Sequence, residues 1–447
     1  MVVNTSNRLC ILVFLSVLFL GINGVNPAWG GTYSGGDGTA GNPYKIANLN
    51  DLQKFQDTSD DWDKYFIQTA DIDASDTSNW DPDANGMPQG WNPVGAYGSA
   101  FEGSYDGGNH SITGLFINRP SKSEIGFFGV STNTERTNEI FCQNLILTNV
   151  DITGKSFVGA IAGVFNYGEI INCSSTGTVK GEKLVGGLIA FIASEASVTD
   201  SHSEAAVVAS ADVNDQYGVG GLVGQISSSS FVSNCYSNGS VSGKNYVGGL
   251  IGELDGSSSA VERCFSNSDV SGEKYVGGFV GNFKNGDDIN NSYSTGNVTR
   301  TIGAETTIGS FCGSNIKNIS YSYSTGSVIY ERVGNPTDKG FVGINAATAA
   351  TYTNNFFDKE TSNQTTGTGA IAKTTAEMKT QNTFENWIFD ADNWGIDVNT
   401  NDGYPHLKGV PPPPPPTKVT LSGPATILKN GLGAVTLTTK KFIRQCQ

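Results

Sequence analysis

The stretch YVGGLIGELDGSSSAVERCFSNSDVSG, residues 246–272, is followed by YVGGFVGNFKNGDDINNSYSTGNVT, residues 275–299, and the two are copies of one unit. Similar copies recur along the middle of the chain, and the first apolar residue of each copy defines a column. The members of this column are Ile125, Val158, Val185, Val219, Val247, Val276, Ile308 and Val342. Their spacing of 27 to 34 residues indicates seven turns of about thirty residues each.

The second half of each copy repeats as strictly as the first. It contains an apolar residue, then Cys or Ser three places later, then Val six places after that. The three columns are Ile170, Val198, Val232, Val261, Ile289 and Ile319; Cys173, Ser201, Cys235, Cys264, Ser292 and Ser322; and Val179, Val207, Val241, Val270, Val298 and Val328. Such short β-branched segments bury an apolar face only when successive copies stack in parallel. The repeat therefore predicts an all-β fold, a right-handed parallel β-helix with short helical or loop caps at both ends.

The composition excludes several other classes of protein. The 447 residues include 57 glycines, about twice the usual share. Glycine costs roughly 1 kcal/mol per helical position relative to Ala, so an all-helical fold is excluded. The formal net charge of −15 repels phosphate backbones, and nucleic acid is therefore not expected as a partner.

The N-terminal residues have the pattern of an export signal. Arg8 precedes the apolar run 9–22, which is too short to cross a membrane comfortably. This pattern predicts a signal peptide over residues 1–28, with cleavage after Gly24 as the alternative. No second long apolar stretch follows, so we expect no integral membrane domain and a secreted, extracellular or cell-surface location.

The recurring core G-G-L-[IV]-G, as at 220–224 and 248–252, resembles the GLUG-motif repeat family of secreted and cell-surface bacterial proteins. Segments 35–56 and 100–117 are similar to the region that precedes such repeats, and the W…GYPHL ending through Leu407 is similar to the region that follows them. The resemblance implies a repeat region outside the cell, as in adhesins and in the non-catalytic parts of large surface enzymes. The resemblance assigns no catalytic role to any residue of this chain.

These patterns divide the chain into six parts. They are the signal peptide (1–28), an N-terminal cap with the first coils (29–124), GLUG-type β-helix repeats (125–343), a C-terminal coil and cap (344–409), a Pro-rich linker (410–417) and the truncated start of an immunoglobulin-like β domain (418–447).

Both caps have their own sequence signals. Asn50 before residues 51–56 predicts a short helix over the N-terminal end. Thr374 with Glu377 matches a capping box at the other end. Three aromatic residues that follow are predicted to close the last coil: Trp387, Trp394 and Tyr404.

One loop has the residue types of a calcium site. Asp81, Asp83 and Asn85 match the opening D-x-D-x-N-G of a calcium-binding loop, in which carboxylate and amide oxygens alternate before a glycine turn. The Glu expected at the twelfth position is Asn92, so a polar turn is the competing interpretation. Asp71 and Asp73 could add ligands from a predicted strand. Calcium is the one candidate cofactor.

The cysteines permit two interpretations. Cys235 and Cys264 occupy one column in adjacent coils, so a disulfide could form in an oxidising exterior. The exchange of Cys with Ser in that column favours small buried side chains instead. Cys173 has Ser201 as its expected neighbour and is predicted not to pair in this way.

The sequence offers no catalytic residues. His110, His202 and His406 build neither a Ser-His-Asp arrangement nor a zinc motif. The favoured hypothesis is therefore a non-enzymatic secreted or cell-surface module for adhesion or ligand display, with an extracellular glycan or a surface protein as partner. The alternatives are a β-helix carbohydrate-active enzyme, either a polysaccharide lyase or a hydrolase, and the non-catalytic region of a larger surface enzyme.

Overall fold

The computed structural model describes residues 32–132, 140–210, 217–302, 307–331, 335–346 and 350–410. The predicted signal peptide (1–28), the linker beyond Val410 and the predicted immunoglobulin-like start (418–447) lie outside the described residues.

Each coil passes through four parallel sheets, here named A to D. One coil runs through Asn245–Gly248 in sheet A, Ile251–Asp255 in B, Ala260–Glu262 in C, and Phe265–Ser266 with Asp269–Gly272 in D, and the next coil begins at Lys274–Gly277. Every one of these strands pairs in parallel with its equivalent one coil later. The predicted right-handed parallel β-helix is confirmed.

The strands of each sheet stack along the shaft axis. Sheet A contains Ser156–Val158, Lys183–Gly186, Val219–Gly220, Asn245–Gly248, Lys274–Gly277 and Ile308–Gly309. Sheet B contains Phe128–Thr132, Ala162–Asn166, Ile189–Ala193, Val223–Ser227, Ile251–Asp255, Val280–Asn285, Cys312–Asn315 and Val342–Asn345. Sheet C contains Tyr44–Ile46, Tyr65–Gln68, Ser104–Asp106, Ile140–Gln143, Glu169–Ile171, Ser197–Thr199, Phe231–Ser233, Ala260–Glu262, Asp288–Asn290, Asn318–Ser320 and Tyr352–Thr353. Sheet D contains Ile72–Asp73, Ser111–Thr113, Phe116–Asn118, Ile146–Thr153, Ser174–Gly181, His202–Ala209, Tyr236–Ser237, Ser240–Ser242, Phe265–Ser266, Asp269–Gly272, Tyr293–Ser294, Val298–Arg300, Tyr323–Ser324, Val328–Tyr330, Phe356–Asp358 and Ile371–Lys373. The strands of sheet C, at about 4.8 Å per step, give the described shaft a length of about 48 Å.

The predicted columns are confirmed except at one end of the repeat. Val185, Val219 and Val247 pair in register, as expected. The prediction that Val342 belongs to the same column is wrong, because Val342 pairs with Cys312 in sheet B. Lys339 stands where the other copies have their first glycine, so aligning apolar residues alone misplaced the last copy by four residues.

Two glycines turn the chain from sheet A to sheet B because the coils approach too closely there for a side chain. A Cβ on Gly248 would lie within 3.0 Å of the Ile251 carbonyl oxygen. A Cβ on Gly249 would lie equally close to the Gly278 carbonyl oxygen of the next coil. The G-G pair of the repeat is therefore a packing requirement of this corner.

A column of left-handed residues forms the corner between sheets C and D. Its members are Asn144, Asn172, Asp200, Asn234, Arg263, Asn291, Tyr321 and Asn354, with φ between 47° and 54°. Asn and Asp tolerate this conformation best among residues with a side chain, which explains why they predominate. The side chains also link adjacent coils, since Asn172 Nδ2 donates to Asn144 Oδ1 at 2.7 Å.

The Cys and Ser column follows this corner and lies inside the shaft. The backbone N–H of Cys173 donates to Ser201 Oγ at 3.0 Å, and that of Cys235 donates to Cys264 Sγ at 3.4 Å. Cys and Ser interchange because each is a small buried side chain that supplies an acceptor atom to the preceding coil. Cys235 and Cys264 are free thiols in this structure, and burial raises the pKa of Cys235.

Ser201 is the neighbour of Cys173 within its column, as predicted, but a cysteine of another column also lies close to it. Cys173 Sγ lies 3.9 Å from Cys142 Sγ in the preceding coil, and both side chains are buried. Cys142 lies in the apolar column of Ile170, where the strand register shifts next to Glu169. The same neighbours meet in the regular coils, where Cys235 Sγ and Cys264 Sγ contact the carbonyl oxygens of Val198 and Val232. The two sulfurs therefore meet because a cysteine occupies the apolar column at Cys142.

The N-terminal end is covered by a helix, as predicted. Helix α1 spans Leu49–Asp57 and buries Leu52 and Phe55 completely. Its N-cap is Asn48, whose side-chain oxygen accepts from the backbone of Asn50 at 3.0 Å. The prediction of Asn50 as the cap is wrong, because Asn50 already lies within the first turn.

The remaining helices and one hairpin are short. Helix α2 spans Thr375–Met378 and begins with the predicted capping box of Thr374 and Glu377, which is confirmed. The 3₁₀-helices span Ser59–Asp61, Ser75–Asn79, Gln381–Thr383 and Asn401–Gly403, and Trp394–Gly395 pairs antiparallel with His406–Leu407.

An aromatic ladder runs along the outside of sheet D. Tyr236, Phe265, Tyr293 and Tyr323 stack face to face, one ring per coil, with ring centroids 4.8 to 5.0 Å apart. Phe356 follows Tyr323 in the strand register. Such a row of rings would be a large exposed apolar patch if nothing covered it.

Residues 374–410, the C-terminal strap, cover this ladder. Trp394 packs against Tyr293 with ring centroids 6.1 Å apart, and its indole N–H donates to Asn291 Oδ1 at 3.1 Å. Arg263 Nη2 donates to the Lys408 carbonyl at 2.6 Å, so the strap returns over several coils. The aromatic residues predicted to close the last coil therefore lie along the side of the shaft instead, and the prediction is wrong in this respect: Trp387, Trp394 and Tyr404.

Candidate functional site

A polar cavity of about 460 Å³ opens between helix α1 and the segment that follows the 3₁₀-helix Ser75–Asn79. Side-chain amides, carboxylates and one indole face it. They include Gln53, Gln56, Asp57, Asn79, Trp80 and Asn92. No Lys or Arg belongs to the described residues that line it. The cavity is therefore acidic and rich in groups that both donate and accept hydrogen bonds.

Helix α1 supplies one wall of this cavity. Gln53, Gln56 and Asp57 lie three and four residues apart, so they share one face of the helix. Gln56 Oε1 accepts the backbone N–H of Asn92 at 2.7 Å, and Gln56 Nε2 donates to Asp57 Oδ1 at 2.9 Å. The helix and the opposite wall are thus tied together directly.

A buried arginine holds the second wall. Arg119 is 7% exposed, and its Nη2 donates to Asp81 Oδ2 at 2.7 Å. The same guanidinium donates to the carbonyl oxygens of Gly90 at 3.2 Å and Trp91 at 3.1 Å. Sequence reasoning missed Arg119, because its only signal is a single basic residue after the strand Phe116–Asn118.

The predicted calcium loop borders this cavity at Asp81. Asp83 Oδ1 accepts the backbone N–H groups of Met87 at 2.9 Å and Asn85 at 2.8 Å. These bonds, led by that from Met87, hold the pKa of Asp83 below its usual range. The Asp81 carboxylate is instead paired with Arg119. Asp83 is thus the anionic centre of the loop.

Asp71 and Asp73 contact other turns. Asp71 Oδ1 accepts the backbone N–H of Ser111 at 2.8 Å, and Asp73 Oδ1 accepts that of Ser75 at 2.9 Å. Within the residues that the structure describes, no group of three or more His, Cys, Asp or Glu side chains is arranged to hold a metal ion. Calcium binding by the Asp81, Asp83 and Asn85 loop stays a prediction.

Calorimetry tests the calcium prediction. We expect the full chain to release or absorb more heat on calcium addition than the Asp83→Ala variant, because that carboxylate would be the charged ligand of the loop. Asp397→Ala is the matched control, since Asp397 also accepts a backbone N–H in an exposed turn and was never a candidate ligand. Equal heats for the wild type and Asp83→Ala would leave the polar turn as the correct interpretation.

The three histidines lie in separate surroundings. His110 Nδ1 is 3.4 Å from Asp71 Oδ1 in a turn. His202 stacks on Tyr236 at the start of the aromatic ladder, and burial lowers its pKa. His406 belongs to the strap hairpin, where burial also lowers its pKa. Their recorded partners do not assemble a nucleophile, base and orienting acid.

The outer face of sheet B carries a second set of aligned side chains. Glu253 is 5% exposed and accepts from Asn282 Nδ2 at 3.0 Å, one coil apart. Burial raises the pKa of Glu253. Tyr246 and Tyr275 stack beside them at 4.8 Å. Glu253 and Asn282 therefore join adjacent coils while little of their surface is exposed.

No protein-family model matches the chain. It is 38% identical over 168 residues to "Halomucin" of Haloquadratum walsbyi, which is 37% of this chain and 2% of that protein. It is 34% identical over 172 residues to a "Putative Gly-rich membrane protein" of Evansella cellulosilytica, 37% of this chain and 18% of that protein. It is also 35% identical over 85 residues to "Immunoglobulin A1 protease" of Streptococcus sanguinis, 19% of this chain and 4% of that protein.

The chain is also similar to a solved structure. That structure is described as "a putative immunoglobulin A1 protease" from Bacteroides ovatus, with a TM-score of 0.49, 22% sequence identity, and coverage of 85% of this chain and 96% of that chain. The described residues contain no helix that is both long and apolar enough to cross a membrane. The chain spans less than a fifth of the length of each curated relative named above.

Proposed function

We propose that this chain is a non-enzymatic module displayed on the outside of the cell, where its shaft offers a surface for adhesion or ligand display. The supporting observation is the repetition of polar groups on the outer faces. On sheet C, Glu262, Asn290 and Ser320 project outward beside the buried columns at successive coils. A ligand with repeating units would meet a polar side chain at each step of about 4.8 Å.

The proposed exterior location has two supports. One is the predicted signal peptide over residues 1–28. The other is the names of the relatives, which include a halomucin, a Gly-rich membrane protein and immunoglobulin A1 proteases. The assignment of the chain to the GLUG-motif repeat family belongs to the same proposal and rests on the repeated G-G-L-[IV]-G core.

A second candidate function is a non-catalytic region within a larger surface enzyme. The shared segment of 85 residues with immunoglobulin A1 proteases favours it, since the segment covers 4% of those proteins. In this role the shaft would hold a catalytic domain away from the cell wall or bind its substrate. Neither candidate requires chemistry from this chain.

Secretion and retention measurements test the display role. We expect protein released by the producing cells to lack residues 1–28 or 1–24 in an intact-mass measurement.

We also expect the full chain, immobilised on beads, to retain members of a glycan array or of an extracellular-matrix protein array. The heat-denatured chain is the control for nonspecific retention. Retention of no array member, or release of reducing ends from array polysaccharides, would contradict the proposal.

A further inference from the structure

We propose that the cavity between helix α1 and residues 79–92 binds one uncharged sugar unit of a glycan. The inference rests on the proposed display role for its source of ligand, because glycans are the polyhydroxylated molecules that a protein meets outside the cell. It goes further by naming the site and the class of ligand.

The size of the cavity fits this ligand. Its volume of about 460 Å³ lies within the range of about 300–1,000 Å³ that is typical of small-molecule sites. It can therefore hold a pyranose ring with part of a neighbouring unit. It is too small for a folded partner.

The chemistry of the walls matches a sugar. Hydroxyl groups both donate and accept hydrogen bonds, and the amides of Gln53, Asn79 and Asn92 supply both kinds of partner. Trp80 is half-buried against the core and adds one apolar face. A pyranose has C–H bonds on one face and hydroxyls at its edge, so it uses an indole and amides together.

The charge of the cavity selects against anionic sugars. Asp57 and Asp81 both face the cavity, and no described lining residue is basic. A carboxylate or sulfate on the ligand would be repelled by Asp57, whereas Asp81 is already paired with Arg119. A cationic ligand is the competing class. It is less favoured because Trp80 is one ring, while ammonium recognition uses a cage of several rings.

The site is held in place before any ligand arrives. The Gln56 contact with Asn92 fixes the distance between the walls, and Arg119 fixes Asp81 and Gly90. A site that is already ordered loses less conformational entropy on binding. Arg119 would thus serve the site, because its hydrogen bonds order the segment that forms the second wall.

Saturation-transfer NMR on the full chain tests the assignment. The probes are the methyl glycosides of β-D-glucose, β-D-galactose, α-D-mannose and N-acetyl-β-D-glucosamine, with glucuronic acid, N-acetylneuraminic acid and choline as charged probes. We expect at least one neutral glycoside to bind and the acidic sugars not to bind. The double variant Gln53→Ala with Asn79→Ala should weaken that binding at least tenfold, without a change in melting temperature.

The control variant is Gln381→Ala, an exposed amide in the strap far along the sequence from the cavity, which should bind like the wild type. Absence of binding by every neutral glycoside, equal binding by the double variant, or binding of choline alone would overturn the proposal. The display role fails separately: full array retention by the double variant would contradict only the cavity assignment, whereas glycoside binding by a protein that is never exported would contradict only the display role.

Discussion

Replacing Gly249 with Val is expected to lower the free energy of unfolding by about 3 kcal/mol or more, at the upper end of overpacking effects. The new Cβ would lie within 3.0 Å of the Gly278 carbonyl oxygen and of Ser266 Oγ. The carbonyl directly follows the strand Lys274–Gly277, which pairs with the coils on both sides, so moving it aside would disturb that strand. The cost should therefore reach the neighbouring coils as well as the mutated one.

Urea denaturation followed by circular dichroism measures this effect. Gly41→Ala is the matched control, because no atom lies within 4 Å of a Cβ placed there. We expect the control to unfold at the wild-type midpoint and Gly249→Val to unfold at a much lower urea concentration or to fail to fold. An unchanged midpoint for Gly249→Val would mean that the corner between sheets A and B is not the close approach described above.

Replacing Trp394 with Ala is expected to cost about 3–5 kcal/mol, as is usual for a fully buried Trp. Trp394 is 1% exposed, packs against Tyr293 and Trp387, and donates its indole N–H to Asn291. Because the strap contacts the shaft through these rings, the loss should fall mainly on the strap. The aromatic ladder beneath it would then become exposed.

Hydrogen exchange locates the loss. Amides of residues 374–410 should lose protection in Trp394→Ala, while amides in the sheet A corner at 247–252 should keep it. Binding of a hydrophobic dye should rise as the ladder is uncovered. Ile388→Ala is the control in the same segment, because its side chain is 62% exposed. Equal protection of the strap in both variants would contradict its role as a separate packed layer.

The shaft was predictable from the sequence because each coil must pack against nearly identical coils on both sides, so the same residue types recur at the same positions. Val223, Ile251 and Val280 recur at fixed places because each must fill the same space above the last. Prediction failed where the repeat lost a marker. Lys339 in place of a glycine moved Val342 into the wrong column. Cys142 stands where the predicted column has Val or Ile, so the columns read from the sequence left it out and its approach to Cys173 was missed.

The strap and the cavity were not predictable because their contacts have no period. Arg263 donates a hydrogen bond to Lys408, which is 145 residues away, and no repeated spacing in the sequence predicts that contact. The cavity combines a helix with a later segment and depends on Arg119, whose partner Asp81 is 38 residues away. Sequence patterns showed the loop at Asp83 and the aromatic residues of the strap. They did not show which surfaces those groups would face.

The strap also fixes the number of coils that it covers. It is hydrogen-bonded to the coil of Asp358 through Tyr404, to that of Asn291 through Trp394 and to that of Arg263 through Lys408. If a coil were duplicated between the contacts at Arg263 and Asp358, the strap would be about 4.8 Å too short and would leave one ring of the aromatic ladder uncovered. Duplicating or deleting a coil well before Arg263, such as residues 158–184, leaves these contacts unchanged. Recombination among such genes is therefore free to lengthen or shorten the N-terminal part of the shaft, while the strapped part keeps a constant number of coils.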